Sequence, residues 1–167
     1  ILLSSVILAQ LGVQYSAVTS VPVIHNISTD TVEPPVFNKL VAIREAEGAN
    51  PLAYDAEVLA EQQQTAYPEV KTLISSQPTK ILFNQAMIVL QDLGLEIVNE
   101  DRAAGMIEAT ATTFWFGFKD DVVVRIRPTR SGSKVDVRSV SRLGQSDLGG
   151  NAARISDILT ALSSDQR

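Results

Sequence analysis

The stretch TTFWFGFKDDVVVRIRP (112–128), followed by a short turn and SKVDVRSVSRLGQSDLGGNAARI (133–155), decides the fold. In DVVVRIRP (121–128), Val122, Val124 and Ile126 face one way while Val123, Arg125 and Arg127 face the other, the alternation of a pleated strand. SKVDVRSVSRL (133–143) repeats the pattern after a turn at Arg130–Gly132, with Val135, Val137 and Ser139 opposite Asp136, Arg138, Val140 and Arg142. Upstream, MIEATATTFWF (106–116) is rich in threonine and aromatics, which suit a pleated surface, and puts Ile107, Ala109, Ala111 and Thr113 on one face. LEIVNED (95–101) supplies a fourth, short strand, joined through a turn at Arg102–Gly105. Spacings this short join neighbouring strands as hairpins, so the expected sheet is an antiparallel four-stranded meander.

Helical periodicity flanks the strands. In PTKILFNQAMIVLQDL (78–93), Leu82, Ala86, Val89 and Leu93 form a stripe widened by Ile81, Met87 and Leu90, with Pro78 in the first turn and Gly94 as the stop. A last helix starts near Asp147 or Leu148, capped by Ser146 or Asp147, and presents Ala152, Ile155, Leu159 and Leu162 with Ile158 beside them. The fold class is therefore α+β, a domain over 71–163 with both helices on one face of the sheet and a short tail at 164–167. On this register the other face is wet and carries Arg125, Arg127, Asp136, Arg138 and Arg142.

The chain is 167 residues long, and from Ile1 to Thr29 it has no Lys, Arg, Asp or Glu. Residues 1–18, ILLSSVILAQLGVQYSAV, read as the end of a transmembrane anchor, because a span takes about 20 apolar residues and this run needs only slightly more. The competing reading is a signal-peptide core or a buried helix. No base precedes Lys39, which favours the non-cytoplasmic, periplasmic side for the domain. Residues 19–70 read as an extended Pro-rich tether, laid along the domain or left free, with a short helix from Asp55 to about Ala66.

The charge is split. Residues 1–101 hold 12 acids and 4 bases, and residues 102–167 hold 7 acids and 10 bases. The total of −5 argues against nucleic acid as a partner. With no cysteine there is no disulfide, thiolate metal site or thiol nucleophile. His25 is the only histidine and lies in the tether, so no two-histidine metal site exists, and no Gly-x-Ser-x-Gly elbow accompanies it. No cofactor or metal motif is present.

Other chemistry-bearing residues each have two readings. Asp120 and Asp121 are either paired carboxylates or turn residues after Gly117. Gly144, Gly149 and Gly150 either flank an ordinary helix cap or, with a nearby arginine, an anion site. Either Arg125, Arg138 and Arg142 pair with Asp136, Asp147 or Glu108 across strands, or the stripe they form with Arg127 meets an acidic partner or anionic headgroups. Phe114, Phe116 and Phe118 share a face and Trp115 opposes them, so three either pack in the core or form an exposed docking edge. Asn151 and Arg154, one helical turn apart, reach back to Asp147 or Ser141 as a structural polar network, to which Asp136 is also assigned.

The segments IHNISTDTVEPPVF (24–37), AYPEV (66–70), IEATATTFWFGFKDDVVVRI (107–126) and VDVRSVSRLGQSDLGGNAARI (135–155) together resemble the bacterial domain of unknown function 1499. The resemblance spans roughly residues 24–162 and implies N-terminal membrane segments, but no reaction. The element order is also similar to helix-grip domains of envelope lipoproteins, in fold alone. The expectation is a non-catalytic, membrane-anchored accessory or binding domain, a subunit of a membrane protein assembly that docks through its aromatics and arginines on a membrane protein or membrane surface. The alternatives are a lipid or small-ligand binder with a groove between helices and sheet, and an enzyme with an Arg/Asp anion site.

Overall fold

The computed structural model describes residues 22–114 and 116–164. Over these it is an α+β fold with six strands and four helices. In chain order they are β1 (Asn26–Ser28), α1 (Lys39–Glu47), α2 (Ala56–Ala66), β2 (Leu73–Ser75), α3 (Thr79–Asp92), β3 (Glu96–Asp101), β4 (Met106–Thr112), β5 (Lys119–Thr129), β6 (Gly132–Ser141) and α4 (Gly150–Ser164). The anchor expected over 1–18 lies outside the described residues. Among the described residues, no helix is long and apolar enough to cross a membrane.

The meander β3-β4-β5-β6 forms as the alternation predicts, antiparallel throughout. The count of four is corrected to six. The two added strands, β1 and β2, both lie antiparallel along the outer edge of β6, at Val140–Arg138 and Val135–Ser133 respectively. Each is only three residues long, too short for an alternation to show in sequence. They cover an edge that would otherwise offer a row of unpaired backbone groups. Close approach of β2 requires Gly132, because a Cβ at its φ of 152° would lie 2.1 Å from the Ser75 carbonyl oxygen.

One face of the sheet is covered by α3 and α4. Ile107, Ala109, Val122, Val124, Ile126, Val135 and Val137 pack there against Leu82, Phe83, Ala86 and Leu90 of α3 and Ala152, Ile155, Ile158 and Leu162 of α4. The stripe of α3 is rotated from the one expected: Phe83 is in the core, while Ile81 and Leu93 are exposed. Side chains of a helix cover the turn before them, so the centre of the buried face shifts from a simple spacing count.

The second face is not wet, which corrects the sequence expectation. Residues expected as an extended tether fold across it. α1 lays Leu40, with Phe37 just before it, onto Val123 of β5 and Val140 of β6. α2 begins on Asp55, whose carboxylate accepts from the Val58 N–H, and its Gln63 completes the free edge of β1. The Gln63 amide accepts from Ser28 N–H at 2.9 Å and donates to Ser28 C=O at 2.7 Å, as a neighbouring strand would.

Candidate functional site

The arginines lie on the face of the sheet predicted for them, but that face is interior. Their partners come from the acidic N-terminal half, so the charge split read along the chain closes inside the fold. Asp121 of β5 is fully buried and takes three cationic contacts. Arg142 reaches it through Nε at 2.8 Å and Nη2 at 2.7 Å, and Arg44 of α1 through Nη1 at 2.7 Å. Thr110 donates to the same carboxylate at 2.8 Å, and Glu47 pairs with Arg142 at 2.6 Å. The bond from Arg142 is the first cause that holds the Glu47 carboxyl below its ordinary range.

A second cluster centres on Asp136. Arg125 and Arg127 meet its Oδ2 at 3.0 and 2.9 Å, and both also reach Asp30. Arg127 further pairs with Glu33 at 2.7 Å. Burial works to raise the Asp30 pKa, but N–H groups of Glu33 and Val32 and the two guanidiniums outweigh it and hold it below the usual carboxylate range. Arg138, also buried, has no carboxylate partner among its bonds. Its guanidinium donates to Asn26 Oδ1, Pro35 C=O and Leu52 C=O, and lies over the rings of Phe37 and Tyr54. Burial pushes its pKa down, and pushes that of Tyr54 up to about 12.

Asp120 and Asp121 are neither a catalytic dyad nor turn residues. Both are in β5, so the two-residue period turns them to opposite faces. Asp120 pairs with Arg154 of α4 at 2.8 Å. Arg154 also donates to Asn151 Oδ1 at 2.9 Å, and Asn151 donates to Ser141 Oγ at 2.9 Å. Asp147 caps α4 by accepting from the Gly149 and Asn151 N–H groups. The structure thus brings together Ser141, Asp147, Asn151 and Arg154, while Asp136 belongs to the other cluster. Arg142 bonds Asp121, Glu47 and Thr110, while Asp147 accepts from the first N–H groups of α4.

The aromatic turn is on the surface. Thr113 closes it by donating to Phe118 C=O and accepting from Gly117 N–H, with Gly117 at a φ of 63° that suits a residue without a side chain. Phe114, Phe116 and Phe118 are 89%, 79% and 52% exposed, and the last two rings stack at 5.7 Å. Trp115 lies outside the described residues. The core reading of these three phenylalanines is therefore corrected: the strand ends at Thr112, before the aromatics begin. Next to the turn, Leu143 and Leu148 are exposed, and with Phe118 they line a cavity of about 230 Å³. Leu148 has a φ of 54°, uncommon for a residue with a side chain.

The start of β1 lies at this same end of the sheet. Asn26 pairs with Val140, and His25 C=O accepts from Ser141 N–H at 3.0 Å. Because β1 runs antiparallel to β6, its first residue lies beside the end of β6, next to Ser141 and the loop to α4. His25 Nδ1 faces Gln145 C=O there.

Sequence reasoning missed α1 and its anchor. Asn38 makes no side-chain cap for α1. Instead Glu108, reaching from β4, accepts from Lys39 N–H at 3.1 Å, Leu40 N–H at 2.9 Å and Asn99 Nδ2 at 3.1 Å. A signal for α1 was present in Leu40 and Arg44, four residues apart and so on one face, with Gly48 as the stop. Nothing local marks Glu108 as the cap. Among the described residues no group of three or more His, Cys, Asp or Glu side chains could hold a metal ion.

No curated protein matches this chain. A family profile does, over residues 26–162, which takes in every element from β1 to α4 with only the last residues of that helix left over. The span includes the aromatic turn, the buried arginine clusters and the capped start of α4, and the chain belongs to the family described as "Protein of unknown function (DUF1499)".

Proposed function

We propose that this protein is a non-catalytic, membrane-anchored accessory or binding domain, held on the non-cytoplasmic side, that docks at the membrane surface as a subunit of a membrane protein assembly. The observation that carries this reading is a coincidence of position. The start of β1, beside Val140 and Ser141, lies at the sheet end where Phe114, Phe116, Phe118, Leu143 and Leu148 are exposed, and an uncharged run precedes it in sequence. An anchor upstream would hold that end against the bilayer, where aromatic side chains are favoured. Contiguous exposed apolar side chains mark interaction surfaces, and here one of them sits on an unfavourable backbone conformation. Arg125, Arg127 and Arg142, paired with carboxylates inside the fold, contribute rigidity to this surface rather than contacts.

The test is purification of the full chain from native membranes in mild detergent. The expected result is a stoichiometric protein partner whose recovery falls at least about tenfold when Phe114, Phe116 and Phe118 are all changed to Ser. A chain that fractionates wholly as soluble protein, or is recovered alone, overturns the proposal.

A second reading, a small-ligand binder resembling helix-grip domains, is supported by one observation. A cavity of about 470 Å³ lies between α3 and the sheet, within the range of about 300–1,000 Å³ usual for small-molecule sites.

A further inference from the structure

At the end of the sheet opposite the aromatic turn, the first turn of α3, the β3–β4 turn and the last residues of β5 enclose that cavity of about 470 Å³. Its inner wall is apolar: Phe83 and Ile126 are buried core residues, and Ala103, Ala104 and Pro128 extend the wall outward. Lys80, Arg102 and Arg127 are among its lining residues, with no acid among them, and the Arg127 guanidinium turns to the other face of the sheet.

These cations differ in how far they are already used. Arg127 is committed to Asp30, Glu33 and Asp136. The Arg102 guanidinium lies over the Phe83 ring, 4.7 Å from its centroid, and donates to Asn84 Oδ1 at 2.7 Å. Its one carboxylate neighbour, Glu100, is 3.6 Å away, and both side chains are about half exposed, a geometry that contributes little. Lys80 forms no ion pair or hydrogen bond through its ammonium among the described residues. Arg125, Arg127 and Arg142 are paired with buried carboxylates, whereas Lys80 and Arg102 at this rim retain capacity for an incoming anion.

We propose that this cavity binds a small amphiphilic carboxylate, its apolar tail against Phe83, Ile126 and Pro128 and its head between Lys80 and Arg102. The proposal rests on the ligand-binding reading and narrows it to a chemical class. Arg102 is held by its stacking on Phe83 and its bond to Asn84, so its remaining N–H groups are oriented before a ligand arrives. Planar guanidinium and mobile ammonium together suit a carboxylate. An apolar wall with a few converging polar groups is the usual composition of such a site.

The experiment titrates the full chain, reconstituted in bicelles, with 4-phenylbutyrate and with the neutral isostere 4-phenylbutanol, following Ile and Ala methyl resonances. The expected result is saturable binding of phenylbutyrate, with shifts at Ile126, Ala103 and Ala104. Its affinity should fall about tenfold in Lys80→Gln/Arg102→Gln while phenylbutanol binding is unchanged, since one charged contact of this kind is worth roughly that factor. Both substitutions are at exposed positions, and an unchanged amide spectrum certifies the fold. Ala104→Trp, which fills the cavity, should abolish both interactions. Equal binding of the two probes, or no effect of the double variant, overturns the anion preference and leaves the groove standing. Saturable binding of neither overturns both.

Discussion

Arg142 and Asp121 form a two-point ion pair inside the protein, Nε to Oδ2 at 2.8 Å and Nη2 to Oδ1 at 2.7 Å. Asp121 is also the counter-charge of Arg44, so a single carboxylate ties the end of β6 and helix α1 to the middle strand β5. Replacing it leaves two buried guanidiniums with fewer partners. Asp121→Ala should cost about 3–5 kcal/mol, the usual penalty for breaking a buried pair from one side. Urea unfolding gives the number, and a loss below about 1 kcal/mol would show that water or rearrangement compensates the cations.

Glu108 holds α1 on the second face by accepting from the Lys39 and Leu40 N–H groups. Glu108→Ala should cost about 1–3 kcal/mol, because two helix-start donors and the Asn99 amide lose their acceptor in a buried place. Amide hydrogen exchange is the sharper measurement. Protection should fall at Lys39 and Leu40 and through α1, with α3 and α4 little changed. Unchanged protection at those two amides would exclude the cap.

Three carboxyls that pair with the sheet arginines, Asp30, Glu33 and Glu47, are held below their ordinary range. A depressed folded pKa means the unfolded chain binds protons more readily. The stability involved is therefore present above the unfolded values of about 4 and is lost as pH falls through the lower folded values. The urea midpoint should hold between about pH 7 and 5 and decline below about pH 4. Asp30→Asn should lower the neutral midpoint and flatten that decline. A midpoint that stays level down to about pH 3 contradicts the pairing.

The meander was legible because β5 and β6 alternate cleanly, and Val122, Val124, Ile126, Val135 and Val137 meet α3 and α4 as their period requires. The destination of the opposite face was not. Arg125, Arg127, Arg138 and Arg142 at alternate positions look the same whether water or another layer covers them. What covers them is a distant, weakly patterned segment whose α1 buries only Leu40 and Arg44. The acidic bias upstream was the one available hint, and it suggests one polarised surface in sequence, whereas its carboxylates meet the arginines inside the fold. The aromatic turn was legible as unusual, but its exposure depends on where β4 ends, and element ends are the least certain part of a sequence pattern.

The claim that matters most is that the aromatic end faces the bilayer, and the sequence supplies its own probe. Trp115, the chain's single tryptophan, stands between Phe114 and Phe116. The decisive measurement is Trp115 fluorescence of the full chain reconstituted in vesicles containing lipids brominated along the acyl chain. The account predicts blue-shifted emission, quenched most by bromines near the headgroup boundary and little by aqueous iodide. Emission that brominated lipids leave unchanged and iodide quenches freely would place the turn in water and contradict it.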